Sequence, residues 1–345
     1  MNQFLLIEVN AATAFERGVQ YGSQAKELIR TSIAYYRKKF ERSGHSWETV
    51  LKYALDYVPV IEEAMPEILE EARGIAAGAE CDFAELMAVN CRYEITKFPK
   101  IPECTTAAVL PEASVGGKTY AIKNWDFFGG VMEHLVLLHI KTPEYSALGW
   151  AEAGQMMREG FNSNGVAICN NALTSLYDYA GSGIPVTFLR RRVLAAKSFE
   201  EARDLILHAK RCVSNNILLV GAKGQVMNAE VTPNKVYCIN STGGIITHAN
   251  HFVVDPSIDA VTGKPKNRDR RLMELLSAKR GEIDVAYIKE CMRDHEYHPF
   301  GICRHPDKVT DESMTVASMI VDFEANEAHI CFGPPCENAY KVYKL

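Results

Sequence analysis

Two short stretches hold residue types that could do chemistry together. One is Glu103-Cys104-Thr105-Thr106-Ala107-Ala108-Val109, where helical texture gives way to short β-type runs. The other is Lys123-Asn124-Trp125-Asp126-Phe127-Phe128, at the far end of the next such run. Gly116-Gly117 lies between them and reads as a hairpin turn. A hairpin sets the start of its first strand beside the end of its second, so Cys104 and Asp126 are expected to be neighbours. A carboxylate beside a strand-initial thiol can orient an ammonium or amine next to the nucleophile. Taken alone, the same residues have a plainer reading. A Cys in an apolar run behaves as a small core residue, and an Asp after a strand is usually a turn or cap.

Other arrangements fail on spacing. Gly117-Lys118-Thr119 matches the end of a phosphate-binding loop, but Glu112 stands where that loop needs its first Gly. No Gly-x-Gly-x-x-Gly opens a helix after a strand, and no Gly-x-Ser-x-Gly elbow occurs. His295-x-x-His298, with Cys303 and His305 nearby, offers zinc-ligand types. Pro299 and Gly301 break the local helix and nothing in the spacing fixes a tetrahedron, so these histidines read as polar loop residues and no metal is expected. His248-x-x-His251 follows a strand-like run, which would need a bend to bring both rings to one ion.

The elements that must position these residues fall in blocks. Ile29, Ile33, Tyr36 and Phe40 recur at helical spacing between Tyr21 and Phe40. Pro66 opens a second helix that ends near Gly78. From Thr105 the runs turn β-like: 106–110, 119–124, 135–140, 165–172, 216–220, 226–231, 236–239 and 245–249. Helical patches interrupt at 187–197 and after the Ser198-x-x-Glu201 capping box. Helices over 269–278 and 285–292 follow, then strands over 315–323 and 328–332. Blocks of this kind fit antiparallel sheets layered with helices better than alternating βαβ units. No flexible linker separates them, so one domain over 1–345 is expected.

Composition narrows the function classes. Of 345 residues, 47% are hydrophobic and 23% charged, which suits a soluble globular chain. The net charge of -5 and the lack of any basic block argue against nucleic acid. No apolar run approaches bilayer length, and Met1–Leu5 lacks the basic start of a secretory signal, so no membrane partner is expected. The ten cysteines, without a signal peptide, read as reduced thiols of a cytoplasmic protein.

Several motifs in order say more than any one of them. Cys104-Thr-Thr followed by Asn124-Trp-Asp-Phe-Phe resembles the acyl-coenzyme A:6-aminopenicillanic acid acyltransferase family of N-terminal nucleophile hydrolases. The resemblance continues through Glu16-Arg-Gly18-x-x-x-Gly22, Gly160-Phe-Asn-Ser-Asn-Gly165-Val-Ala-Ile-Cys-Asn-Asn171, His248-Ala-Asn250-His-Phe252, Ile302-Cys-Arg-His305 and Gly333-Pro-Pro-Cys-Glu-Asn338. It implies an α+β fold, a four-layer αββα sandwich of two antiparallel sheets flanked by helices. It implies a precursor that cuts itself between Glu103 and Cys104, giving a small helical fragment, 1–103, and a catalytic fragment, 104–345. Cys104 would then supply the thiol nucleophile and, through its freed α-amino group, the base. An α-amine near pKa 7.7–8.0 and a thiol near 8.5 exchange a proton at little cost.

By the same resemblance Asp126 holds that amino group and Asn250 donates to the oxyanion. Lys123 stands where bile-salt-hydrolase-like enzymes carry Arg, and Asn171 where a second oxyanion or substrate donor is expected. Arg268 and Arg270, before a helix, are further substrate-side candidates, while Arg304 and His305 read as loop support. Glu103 replaces the Gly that often precedes the nucleophile. Trp125, Phe127 and Phe128 suggest an apolar acyl pocket. The expected partner is a small-molecule amide or acyl thioester, with the two fragments associated and a homo-oligomer left open. No cofactor is needed, although a coenzyme A thioester could be the donor. Two alternatives stay open: hydrolysis of N-acyl amides without transfer, and a non-catalytic binding descendant that remains one chain.

Overall fold

The computed structural model describes residues 3–96, 104–179, 181, 183–263, 265–309 and 312–345. Its strands are β1 (Leu5–Val9), β2 (Cys104–Val109), β3 (Tyr120–Phe128), β4 (Leu135–Lys141), β5 (Ser146–Glu152), β6 (Glu159–Asn162), β7 (Val166–Ala172), β8 (Asn215–Gly221), β9 (Val226–Val231), β10 (Val236–Ile239), β11 (Ile245–His248), β12 (Ser313–Asp322), β13 (Glu327–Phe332) and β14 (Lys341–Lys344). Its helices are α1 (Ala14–Gln24), α2 (Lys26–Arg42), α3 (Trp47–Leu55), α4 (Val58–Ala64), α5 (Pro66–Ala79), α6 (Phe83–Asn90), α7 (Arg92–Thr96), α8 (Val186–Val193), α9 (Phe199–His208), α10 (Arg268–Ala278) and α11 (Val285–Cys291).

The strands form two sheets, one of eight in the order β1-β4-β5-β6-β7-β8-β9-β10 and one of six in the order β11-β2-β3-β12-β13-β14. Side chains alternate between faces along a strand, and the alternation defines the layers. Ala107 and Val109 of β2 pack with Leu272, Leu276 and Ile288 of α10 and α11. Cys104 and Ala108 point the other way, into a core shared with Leu137, Trp150, Phe161, Cys169 and Leu218 of the larger sheet. The opposite face of that sheet, with Val136, Leu138, Ile168 and Leu219, packs on Ile29, Tyr36, Phe40, Ile75 and Met87 of the N-terminal helices. Three apolar cores thus separate four layers, α, β, β and α, as expected.

One expectation is corrected. The sheets are not wholly antiparallel, because β1 runs parallel to β4 from Leu5↔Val136 to Val9↔Ile140. This edge strand comes from the otherwise helical first hundred residues. Further ties join that segment to the rest. Asn90 donates to the Gly154 carbonyl at 2.8 Å and accepts from the Met156 N–H at 3.0 Å. Arg191 makes a two-pronged contact with Glu71, at 2.8 and 2.6 Å.

The Gly18-x-x-x-Gly22 spacing has a packing cause. Helices α1 and α5 meet backbone to backbone: a Cβ on Gly18 would lie 2.1 Å from the Glu71 carbonyl oxygen, and one on Gly74 only 2.0 Å from that of Phe15. No side chain fits there without parting the helices.

Glu94 is fully buried, with the Val186 N–H donating to its Oε1 at 2.8 Å. Burial outweighs that hydrogen bond and lifts its carboxyl from the ordinary value to about 7. A carboxyl whose pKa is raised by folding stabilises below its unfolded pKa and loses that stabilisation as pH rises through the folded one. Denaturant titrations should therefore show wild-type stability falling between pH 4.5 and 7 by up to about 1.4 kcal/mol per pH unit from this group. Glu94→Gln should flatten that fall, and an unchanged slope would remove Glu94 as its source.

Candidate active site

Strand pairing brings the two stretches together. Cys104 opens β2 opposite Trp125 of β3, and Thr106 lies opposite Lys123. Paired residues share a face, so Cys104, Thr106, Lys123 and Trp125 all point into the space between the sheets. The Asp126 backbone hydrogen-bonds toward the Cys104 thiol. Burial pushes that thiol above its ordinary value, Lys123 pulls it back, and Asp126 and Glu159 add to the rise. In the uncut chain Cys104 is therefore held as a neutral thiol near neutral pH.

Lys123 is fully buried. Its ammonium reaches across the sandwich to Glu159 Oε1 of β6 at 3.1 Å and donates to the Asn170 carbonyl. Burial alone would lower its pKa, but Cys104 and Glu159 more than offset this and hold it above the ordinary lysine value. Asn171, beside it, ties the sheets. It accepts from Thr106 Oγ1 at 2.7 Å and from Asn216 Nδ2 at 3.1 Å, and its amide donates to the His248 carbonyl at 3.4 Å.

Asn250 meets Cys104 from the loop after β11. Its Oδ1 accepts from the Cys104 backbone N–H and from Arg268 at 3.1 Å, while its Nδ2 donates to the Ala172 carbonyl at 2.9 Å. The expected oxyanion donor thus presents its oxygen to Cys104, because the uncut peptide there is itself a donor. Its amide nitrogen still has a second hydrogen.

The Asp126 carboxylate lies on the opposite face of β3 from Lys123. Thr315 Oγ1 donates to it at 2.7 Å and accepts from the Arg304 N–H at 2.9 Å. The register of β12 shifts between Thr315 and Ala317, so Thr315 falls opposite Asp126 and Ala317 opposite Trp125. A bulge at such a place re-aims a side chain.

Not all candidates converge. Arg268 is buried and reaches Asn250, but Arg270 is largely exposed and faces Glu274 at 3.7 Å. Two residues along a helix turn about 200°, so the two arginines cannot share a face. Trp125 is core, stacked on Trp150 at 6.2 Å with the Arg158 guanidinium 4.3 Å from its ring. Phe127 is buried and Phe128 half-buried, with the Lys39 ammonium 3.7 Å from the Phe128 ring. An open cleft of about 1080 Å³ is lined by Phe15, Glu70, Tyr145 and Arg192 among others, and by none of the site residues. Glu103, on the far side of the expected cut, lies outside the described residues.

The sequence reading missed the charged floor beneath Trp125. Glu152, fully buried, accepts from Arg92 at 2.7 Å, Arg158 at 2.5 Å and the Tyr36 hydroxyl. Burial pushes its carboxyl up, but Arg92, His134 and Arg158 outweigh it and hold the group well below the usual carboxylate range. Glu159 and Thr315 were also missed, since neither has a sequence neighbour that marks it.

The sequence pattern of the family "Acyl-coenzyme A:6-aminopenicillanic acid acyl-transferase" matches residues 114–337. The chain belongs to that family. It is on that ground an enzyme of the acyl-transfer class. A relative from Emericella nidulans, the 40 kDa form of an acyl-coenzyme A:6-aminopenicillanic-acid acyltransferase, is 28% identical over 334 residues, or 94% of this chain and 91% of the relative. Among solved structures, a Caenorhabditis elegans N-acylethanolamine-hydrolyzing acid amidase ortholog is 16% identical with a TM-score of 0.47, covering 64% of this chain and 93% of that one. A conjugated bile acid hydrolase variant from Clostridium perfringens is 14% identical with a TM-score of 0.48, covering 70% of this chain and 97% of that one. No helix among the described residues is long and apolar enough to cross a membrane.

The Lys123–Glu159 pair gives a direct test of the site's electrostatics. Removing one partner of a buried pair strands the other, at a cost of about 3–5 kcal/mol. Denaturant unfolding should show Lys123→Met destabilised on that scale. The double variant Lys123→Met/Glu159→Gln should recover at least about 1 kcal/mol relative to the sum of the singles. Strict additivity would mean that the two charges do not depend on each other.

Proposed function

We propose that the chain is a self-processing cysteine amidohydrolase or acyltransferase that works through an acyl-Cys104 intermediate. The observation that carries this reading is the surroundings of Cys104. A strand-initial thiol lies between a buried ammonium and the Asp126 backbone, with Asn250 on its own N–H.

Processing begins when Cys104 Sγ attacks the Glu103 carbonyl carbon. A C–S bond forms, the Glu103–Cys104 C–N bond breaks, and the nitrogen takes up a proton to become an amine. Water hydrolyses the thioester, freeing the Glu103 carboxylate and restoring the thiol. The new α-amine then serves as base, and the Asp126 carboxylate lies one residue along from the position opposite Cys104. Burial works against forming the thiolate, and a base with a pKa near 8 on the same residue lowers that cost.

In turnover Sγ attacks the substrate carbonyl while the α-amine takes the thiol proton. The second hydrogen of Asn250 Nδ2 meets the oxyanion. The leaving amine takes the proton from the α-ammonium, and water or an acceptor amine then releases the acyl group from sulfur. Lys123 keeps the thiolate's charge compensated, Arg268 holds the Asn250 side chain, and Asn171 fixes the spacing of the sheets beside them. The substrate is a small-molecule amide or acyl thioester. Ten cysteines read as reduced thiols fit a cytoplasmic site of action.

Intact mass and a denaturing gel test the first step. Wild type should give pieces of about 11 and 27 kDa, the larger beginning Cys-Thr-Thr-Ala, and Cys104→Ala should stay one chain. In processed protein, Asn250→Ala should lower turnover about 10²–10³-fold. Asp126→Asn should slow turnover and move the acidic limb of its pH profile to lower pH, because the charge that favours the protonated α-amine is lost. Rapid quench with an apolar acyl amide should place one acyl group on Cys104. A wild type that stays intact on prolonged incubation would overturn the reading, as would an adduct on another cysteine. Added primary amine separates transfer from hydrolysis: diversion of product to amide means transfer.

A further inference from the structure

Away from Cys104, four side chains converge, two histidines that the sequence reads as polar loop residues and two cysteines that it reads as reduced thiols. They are His295, Cys303, His305 and Cys336. His298, three residues after His295, is not among them and faces Asp307 instead. The fourth member, Cys336, comes from the turn after β13, 31 residues beyond His305. One candidate ligand atom from each lies within 4.8 Å of all the others.

We propose that these four residues form a closed structural zinc site. Bond lengths of about 2.3 Å to sulfur and 2.0–2.1 Å to nitrogen, in a tetrahedron, fix its edges: about 3.8 Å between sulfurs, 3.6 Å between sulfur and nitrogen, and 3.3 Å between nitrogens. Of the six observed edges, that between Cys303 Sγ and Cys336 Sγ is 3.6 Å, that between His295 Nε2 and His305 Nε2 is 3.1 Å, and the two from His295 to the sulfurs lie within 4.8 Å. From His305 Nε2 to the two sulfurs they are 3.9 and 3.1 Å. Hydrogen bonds do not account for this packing. An imidazole nitrogen has one in-plane site, a proton or a lone pair, yet His305 Nε2 faces three partners. A cation at the centre gives all four atoms one shared partner.

The surroundings fit as well. His305 Nδ1 lies 3.3 Å from Glu337 Oε1, the carboxylate partner that ligating histidines commonly have on their other nitrogen. Two thiolates and two neutral imidazoles balance the charge of a divalent ion, and this donor set favours zinc over magnesium or calcium. All four positions belong to protein, which marks a structural rather than a catalytic centre. A disulfide is the rival use of the two cysteines, but it needs the sulfurs about 2.05 Å apart and would leave both histidines without a role.

The site acts on the catalytic face through a short path. Arg304 stands between the ligands Cys303 and His305. Its backbone N–H donates to Thr315 Oγ1 and its carbonyl accepts from the Thr315 N–H at 3.0 Å, and Thr315 in turn donates to Asp126. Asn124, two residues before Asp126, donates to the Met292 and Ile302 carbonyls at 3.0 and 2.9 Å, at the two ends of the ligand loop. The ion would clip this loop to the turn carrying Cys336, a join that Arg293 Nε already makes with the Pro335 carbonyl at 2.9 Å. Thr315 and Arg304 are positioning residues on this reading.

All four ligands lie beyond Cys104, so the test does not depend on self-cleavage. The full chain, purified under reducing conditions, is mixed with zinc sulfate, desalted, and measured by nondenaturing mass spectrometry and elemental analysis. About one zinc per chain is expected. Cobalt in its place should give the intense visible absorption of a tetrahedral thiolate centre. Cys336→Ser and His305→Gln should each lose the metal, while Cys238→Ser, an exposed cysteine elsewhere, keeps it. Chelation should lower the thermal midpoint of wild type, and zinc should restore it. Should the ligand variants fail to fold, the wild-type cobalt spectrum decides. A folded, reduced wild type that retains no metal, a cobalt spectrum of the octahedral aqua type, or a Cys303–Cys336 disulfide in the reduced preparation would each overturn the proposal.

Discussion

An ammonium group in a dry protein interior must find an anion or the fold does not close. Lys123 sets that condition here. It projects from β3 into the space between two sheets, where Trp125, Trp150 and Phe161 exclude water. Glu159 on the facing sheet and the Asn170 carbonyl are its partners, so the sheets can approach only in the register that brings β6 and β7 opposite β3. Asn171 and Thr106 make a second polar bridge one strand away. Such groups stabilise little in net terms, because desolvation consumes most of the attraction, but they penalise every other alignment of the two sheets. The same ammonium lies beside the Cys104 thiol, so what fixes the sandwich also sets the electrostatics around that thiol.

Charge is distributed asymmetrically about Cys104. On the inner side stand Lys123 and Glu159, and beyond Trp125 the Arg158, Arg92 and Glu152 cluster. On the outer side is Asp126, held by a neutral hydroxyl from Thr315. The register shift between Thr315 and Ala317 sets the Thr315 hydroxyl opposite Asp126, two residues before the end of β3. Both faces of β3 at this point are buried, so each charge there depends on partners supplied by the protein.

Much of this was legible in the sequence, and what was not has physical causes. Strands β7 to β11 are apolar runs bounded by turn residues, so their pattern and their boundaries agree. The hairpin between β2 and β3 follows from Gly116 and Gly117, which both take positive φ, and it places Cys104 and Asp126 correctly. Strands β1, β5, β6 and β14 escaped because Leu5–Val9 and Lys341–Lys344 are edge strands with exposed side chains and β5 and β6 contain Gly149, Gly160 and buried glutamates. The strand character of β1 comes from a partner far along the chain. The burial of Lys123 was not legible, since nothing local says which face of a strand is dry. Arg268 and Arg270 could be told apart only once the helix start was fixed. The grouping of Cys336 with three residues from another loop is a product of topology, and no spacing rule within either segment encodes it.

The edge strand β1 has a consequence for how such a protein persists. It is hydrogen-bonded along β4, and the segment that carries it is also tied to the remainder through Asn90, Glu71 and Arg92. While the chain is continuous these pieces find each other at the high effective concentration of a tether. A chain severed ahead of Cys104 would keep every one of those contacts but lose the tether. Reassembly after unfolding would become a second-order encounter, slowed by dilution and open to loss of the smaller partner. Its folded lifetime would then be governed by the barrier to coming apart rather than by an equilibrium it can revisit.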